Sequence, residues 1–165
     1  MDKNLRDLPL IPLRGITIFP YMVLHFDVGR EKSILALEDA MLTEQRIFLT
    51  AQKDVKTEEP GEEDIFRTGT ICNIKQILKL PGDTVRVLVE GESRAVLRKY
   101  ISEDPFFKVQ VEVIEDKNYS EDKNYEALVR AIEKNFNEYI KLSGNIPVET
   151  CLLYTSDAAD DRISV

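Results

Sequence analysis

The sequence predicts an α+β chain: a small, partly closed β-barrel with one inserted helix, followed by a long amphipathic helix. Three observations carry this. The first 115 or so residues hold short apolar runs separated by sharp Gly- and Pro-containing turns, the pattern of spaced strands. One stretch among them, residues 31–42, has helical spacing instead. Beyond residue 117 the hydrophobic period changes from 2 to 3.6, with Tyr125, Leu128, Val129, Ile132, Phe136, Tyr139 and Ile140 on one stripe.

Each element has a local reason. Residues 8–12 read as a short strand whose prolines, Pro9 and Pro12, suit an edge or entry position where no ladder donor is lost. Residues 22–28 form a second strand ended by Gly29. Residues 31–42 form a helix with Ile34, Leu35, Leu37, Ala40, Met41 and Leu42 as a broad apolar face. Residues 46–51, RIFLTA, return to strand. Residues 53–64 are polar and acidic around Pro60-Gly61 and read as a solvated loop.

Residues 65–80 read as one long or kinked strand with Gly69 as a bulge. Leu80-Pro81-Gly82-Asp83-Thr84 is a turn, since Pro presets φ and Gly supplies positive φ. Val85, Val87 and Val89 alternate on the next strand, which Gly91 breaks before a further strand over 93–101. Residues 106–114 place Phe107, Val109, Val111 and Val113 on one face. The final helix has Asn118 or Ser120 as its cap, Gly144 as its C-cap and Pro147 as its stop. It spans about six turns at 1.5 Å per residue and needs a partner to pack against.

Composition narrows the function. The chain has 165 residues, a net charge of −8 and 43% hydrophobic residues. An acidic surface argues against nucleic acid and anionic membranes as partners, because phosphate binding needs Lys and Arg to neutralise it. Cys72 and Cys151 lie far apart without metal-type spacing, so neither a disulfide framework nor a metal site is expected. The charged start, MDKNLRDLPL, has no apolar core of a secretory signal, and no run approaches a membrane span. The expected location is cytoplasmic.

Residues 8–37, LPLIPLRGITIFPYMVLHFDVGREKSILAL, join two apolar strands, an Arg-Gly turn and a Gly29-Arg30 step into a helix. Residues 69–97, GTICNIKQILKLPGDTVRVLVEGESRAVL, and residues 139–147, YIKLSGNIP, follow in order. Together these blocks resemble the amino-terminal domain of the Lon family of ATP-dependent proteases. Gly15 stands where that family often has Asp, and His25 where it often has Pro. The resemblance implies a PUA-like barrel over residues 1–116 and the start of a helical subdomain over 117–150. It implies a non-catalytic module that recognises unfolded or degron-bearing proteins and supports assembly of a hexamer. ATP and Mg²⁺ are implied only for the full-length enzyme. No G-x-x-x-x-G-K-[ST] phosphate loop occurs here, and no catalytic, cofactor or metal residues are expected. The alternative is a stand-alone binding or adaptor protein of the same fold.

Residues 151–165, CLLYTSDAADDRISV, follow no cap or turn logic and resemble a translated sequencing adapter, so they are set apart from the fold. The candidate contacts with substrate or a neighbouring subunit are Tyr21 and Met22, in an apolar turn bent by Pro20, and Arg30, Glu31 and Lys32, at the helix start. His25, the only histidine, has no companion ligand and reads as structural or surface. Cys72 reads as a small buried hydrophobe.

Overall fold

A computed structural model describes residues 4–115 and 123–143. The chain divides after Glu115 into two compact units. The expected caps Asn118, Ser120 and Gly144, the stop at Pro147 and the tail 151–165 lie outside the described residues.

The first unit contains β1 (Leu5–Leu13), β2 (Val23–Val28), α1 (Glu31–Leu42), β3 (Arg46–Gln52), β4 (Ile65–Lys79), β5 (Val85–Ser102) and β6 (Lys108–Val113). The strands run in the order β2-β5-β4-β3-β1-β6, and β6 pairs back onto β5. Five strands therefore close a ring, and β2 is attached outside it. β1 and β3 are parallel, joined through β2 and α1; the other pairings are antiparallel.

Ring closure depends on the length of β5, an 18-residue strand. Its first part pairs with β2 from Val85 to Glu90, and its second pairs with β6 from Ala95 to Ser102. The strand break expected at Gly91 does not occur. Gly91 stays in the ladder opposite Cys72, beside a register shift that leaves Glu92 of β5 without a ladder partner on β4. Its missing side chain answers a different demand. A Cβ there would collide with the backbone carbonyl of Phe19 and come 3.1 Å from Pro20 Cα. Gly69 borders an irregularity: it pairs with Thr50 and Ala95, and the β3–β4 register shifts between that pair and Gln52–Ile65. A Cβ at Gly69 would meet the Leu49 carbonyl and sit 2.7 Å from Phe48 Cζ.

The strands enclose two apolar clusters. Leu8, Leu10, Phe48, Ile71, Ala95, Leu97, Val109 and Val111 form one. Ile11, Leu13, Phe26, Val28, Ile47, Leu49, Val87 and Val89 form the other, together with Ala36, Leu37 and Ala40 of α1. β3 feeds both clusters by period-2 alternation, so both its faces are buried and its sequence is a nearly unbroken apolar run. β1 is not an edge strand. It lies between β6 and β3, pairing with β6 as far as Pro9 and with β3 from Leu10 onward. Each proline thus sits in a stretch laddered to a single partner, which tolerates a missing N–H.

α1 begins and ends where its spacing predicts. Its buried face is narrower than expected: Ser33, Ala36, Leu37 and Ala40 are buried, while Met41 and Leu42 are exposed. Small residues at 33, 36 and 40 let the helix lie close on the sheet, and the stripe they define turns Met41 and Leu42 outward. In the second unit, α2 (Lys123–Ser143) exposes Tyr125, Leu128, Ile132 and Tyr139.

Candidate functional site

Phe19 to Met22 make a tight turn held by backbone. Tyr21 N–H donates to the Gly91 carbonyl and Gly91 N–H donates to the Met22 carbonyl, both at 2.8 Å. Tyr21 has φ +68° and is 57% exposed. Phe19 and Val23 on either side are also exposed, at 51% and 62%. Met22 is half-buried and packs against the second apolar cluster, so of the two candidates only Tyr21 is exposed.

Arg30, Glu31 and Lys32 lie at the other end of β2, a six-residue strand, and so roughly 20 Å from the turn. The structure does not bring the two candidate groups together. Arg30 is half-buried and works inside the fold: its Nη2 donates to Gln52 Oε1 at 3.0 Å and to the Thr57 carbonyl at 3.4 Å. Gln52 in turn donates from Nε2 to the Asp54 carbonyl at 2.6 Å and the Thr57 carbonyl. The loop over 53–64 is thus tethered to the start of α1. Burial first, and then the neighbouring charge of Arg14, pull the Arg30 guanidinium below its ordinary value. The Lys32 ammonium stands 5.5 Å from the centre of the Phe107 ring, a cation–π contact. Glu31 is exposed in the first turn of α1.

A feature not expected from the sequence is an apolar groove of about 670 Å³ between α1 and the β4–β5 turn. Ile34, Met41 and Leu42 form one wall, and Ile77, Leu80 and Val85 the other. Leu42 is 87% exposed on its rim. The turn that shapes it closes through Leu80 N–H to the Thr84 carbonyl at 2.8 Å, with Gly82 and Asp83 at positive φ. The available signal was an apolar face on residues 31–42 too wide for one buried stripe.

The remaining polar chemistry is structural. Arg86 forks onto Asp27 at 2.7 and 2.9 Å across β2 and β5, and holds the Asp27 carboxyl below its usual range. Arg46 bridges Glu92 at 2.8 Å and Glu44 at 3.1 Å. Burial pushes the Cys72 thiol up to about 12. His25 is exposed on β2, opposite Leu88. Among the described residues no cluster of His, Cys, Asp or Glu is set to hold a metal ion, and no helix is long and apolar enough to cross a membrane.

A surface of grooves and turns on a ring of strands describes a binding module, and comparison with known proteins identifies which. The family model for the substrate-binding domain of the ATP-dependent protease La (Lon) matches residues 7–161. The chain belongs to this family. Lon protease of Clostridium acetobutylicum is 53% identical over 97% of the chain, and Lon protease 1 of Bacillus subtilis is 48% identical over 96%. The chain spans about 20% of the length of each. Among solved structures, the N-terminal domain of Lon from the Mycobacterium avium complex superposes with a TM-score of 0.63 at 19% identity, covering 82% of this chain and 68% of that one. A Lon N-terminal domain protein from Xanthomonas campestris gives 0.57 at 15% identity, covering 79% and 72%. These 165 residues carry the Lon substrate-binding domain, not the ATPase or protease domains.

Proposed function

We propose that this Lon domain captures unfolded or degron-bearing proteins for an ATP-dependent serine protease acting in protein quality control in the cytoplasm. The observation that supports this best is the apolar groove between α1 and the β4–β5 turn, with Leu42 standing on its rim. Exposed apolar surface on an otherwise charged domain marks a contact site. The turn carrying Phe19, Tyr21 and Val23 offers a second patch. Met41 suits varied apolar partners, because its unbranched side chain adapts to many shapes.

Each patch alone binds weakly. In a hexamer of the whole protease, repeated copies raise the effective concentration, so a client is held by several weak sites and released from each easily. Glu31 and its helix start are the proposed contact with a neighbouring subunit. Docking requires no cofactor in this domain; ATP and Mg²⁺ serve the motor of the whole enzyme. A net charge of −8 leaves nucleic acid and membranes outside the proposed partners. A cytoplasmic setting fits the free thiol of Cys72.

The test is binding of a permanently unfolded, carboxymethylated model protein to the chain, measured by fluorescence anisotropy. Leu42→Glu should weaken binding at least about fivefold while the fold stays intact. A Tyr21→Ser, Met22→Ser double variant should weaken it as well. Unchanged binding in both variants would refute the assignment of these surfaces.

A further inference from the structure

A second cavity, of about 380 Å³, lies between the end of β1, β2 and the start of α1. That volume falls within the range of about 300–1,000 Å³ usual for small-ligand sites. Its walls are mostly apolar, including Ile16, Phe26 and Val28, but two arginines, Arg14 and Arg30, also line it. Both reach for the same neutral acceptor, the Thr57 carbonyl, at 3.5 and 3.4 Å. Arg30 has a further neutral partner in Gln52. Among the described residues, no carboxylate pairs with either arginine. Asp27 also lines the cavity, but its charge is already matched by the two-pronged contact from Arg86.

Two like charges converge on one carbonyl dipole, with Arg14 exposed and Arg30 half-buried, and no protein carboxylate among the described residues balances either. Guanidinium donors find their strongest partner in a carboxylate, which accepts two parallel N–H groups. Nε and Nη1 of Arg30 make no hydrogen bond to the described residues and remain open for one. The cavity also runs past the start of α1, where Arg30 is the N-cap residue without a side-chain cap. That helix end adds positive potential.

We infer that this cavity binds the free α-carboxylate of a client chain whose last residue is apolar, the carboxylate on Arg14 and Arg30 and the side chain against Ile16, Phe26 and Val28. The inference rests on the reading that the domain docks protein substrates, and it names one chemical feature of them. The apolar walls and the nearby Asp27 favour a singly charged, half-apolar ligand over phosphate, which carries more charge and no apolar part.

The experiment is an NMR titration of the 165-residue chain with N-acetyl-leucine and N-acetyl-leucinamide, following the Arg14 and Arg30 Nε–H signals and the Thr57 amide. The acid should shift all three and bind at least about tenfold more tightly than the amide. Arg14→Gln should lose about tenfold in affinity for the acid, and Arg14→Lys should recover part of it, with amide signals elsewhere unmoved. Equal binding of acid and amide overturns the inference and leaves docking at the α1 groove intact. Inorganic phosphate shifting the same signals as strongly as the acid overturns the chain-end assignment. Acid-specific shifts in a chain that binds no unfolded protein support the carboxylate site and overturn the docking reading.

Discussion

Replacing Gly91 by alanine places a methyl group where β5 runs closest to another backbone. The added Cβ collides with the Phe19 carbonyl oxygen and lies 3.1 Å from Phe19 C and Pro20 Cα. None of these atoms belongs to a flexible side chain, so the 19–22 turn has to move as a unit. Overpacking of this kind costs about 1–3 kcal/mol. Moving the turn also weakens the two hydrogen bonds of 2.8 Å that tie Tyr21 and Met22 to Gly91, each contributing about 1 kcal/mol. The combined loss is about 2–4 kcal/mol. With a urea slope of about 2 kcal/mol per molar, the unfolding midpoint falls by about 1–2 M. Gly82→Ala is the control. Gly82 has φ +81° and nothing within 4 Å of an added Cβ, so it costs only the left-handed backbone penalty of about 1 kcal/mol. Urea unfolding gives the stabilities, and amide exchange at Tyr21 reports the turn itself. A Gly91→Ala chain as stable as the Gly82→Ala control, with Tyr21 exchange unchanged, refutes the steric reasoning.

The other predictions are briefer. Phe48→Ala, emptying a fully buried site between strands, should cost about 3–5 kcal/mol in urea or thermal unfolding. In a Cys151→Ser background, Cys72 should react with a thiol-specific reagent only at the rate of unfolding, because burial keeps it a protonated thiol; rapid reaction in native buffer would contradict this. Arg86 lowers the Asp27 carboxyl, so their pairing stabilises the fold above the unfolded-state value of about 4 and is lost as pH falls through the lower folded value. Asp27→Asn should therefore reduce the midpoint at pH 7, and the difference should shrink as pH falls below about 4.

The barrel and its inserted helix were legible because each depends on local rules. Alternation over residues 85–89 and 107–113, the Pro-Gly turn at 81–82 and the helical spacing of 31–42 all dictate conformation within a few residues. What was not legible depends on contacts distant in sequence. Gly91 reads locally as a strand breaker, yet it is a close-approach residue because the turn at 19–22 lands on it. At Gly69 the register does shift beside the residue, but what its missing side chain answers is Phe48 and Leu49 on the adjoining strand. The contact candidates divide the same way. The exposure of Tyr21 follows from an apolar turn bent by proline, whereas the partners of Arg30 and Lys32 come from residues 52, 57 and 107. The α1 groove needs the β4–β5 turn beside the helix, which no local pattern specifies.

Closing the ring through β5 has a consequence for the proposed capture of unfolded chains. Extended clients are themselves unpaired strands, and an open sheet would invite them to add on edge to edge and remain. Here β2 is the one strand attached outside the ring, with a neighbour on only one side among the described residues. Its outward positions include His25 and Asp27, the latter locked to Arg86. A short strand with a carboxylate among its outward positions discourages backbone-to-backbone addition. Under the proposed docking role, clients would meet side-chain surfaces, from which a chain can be let go, rather than a ladder of hydrogen bonds that would nucleate aggregation.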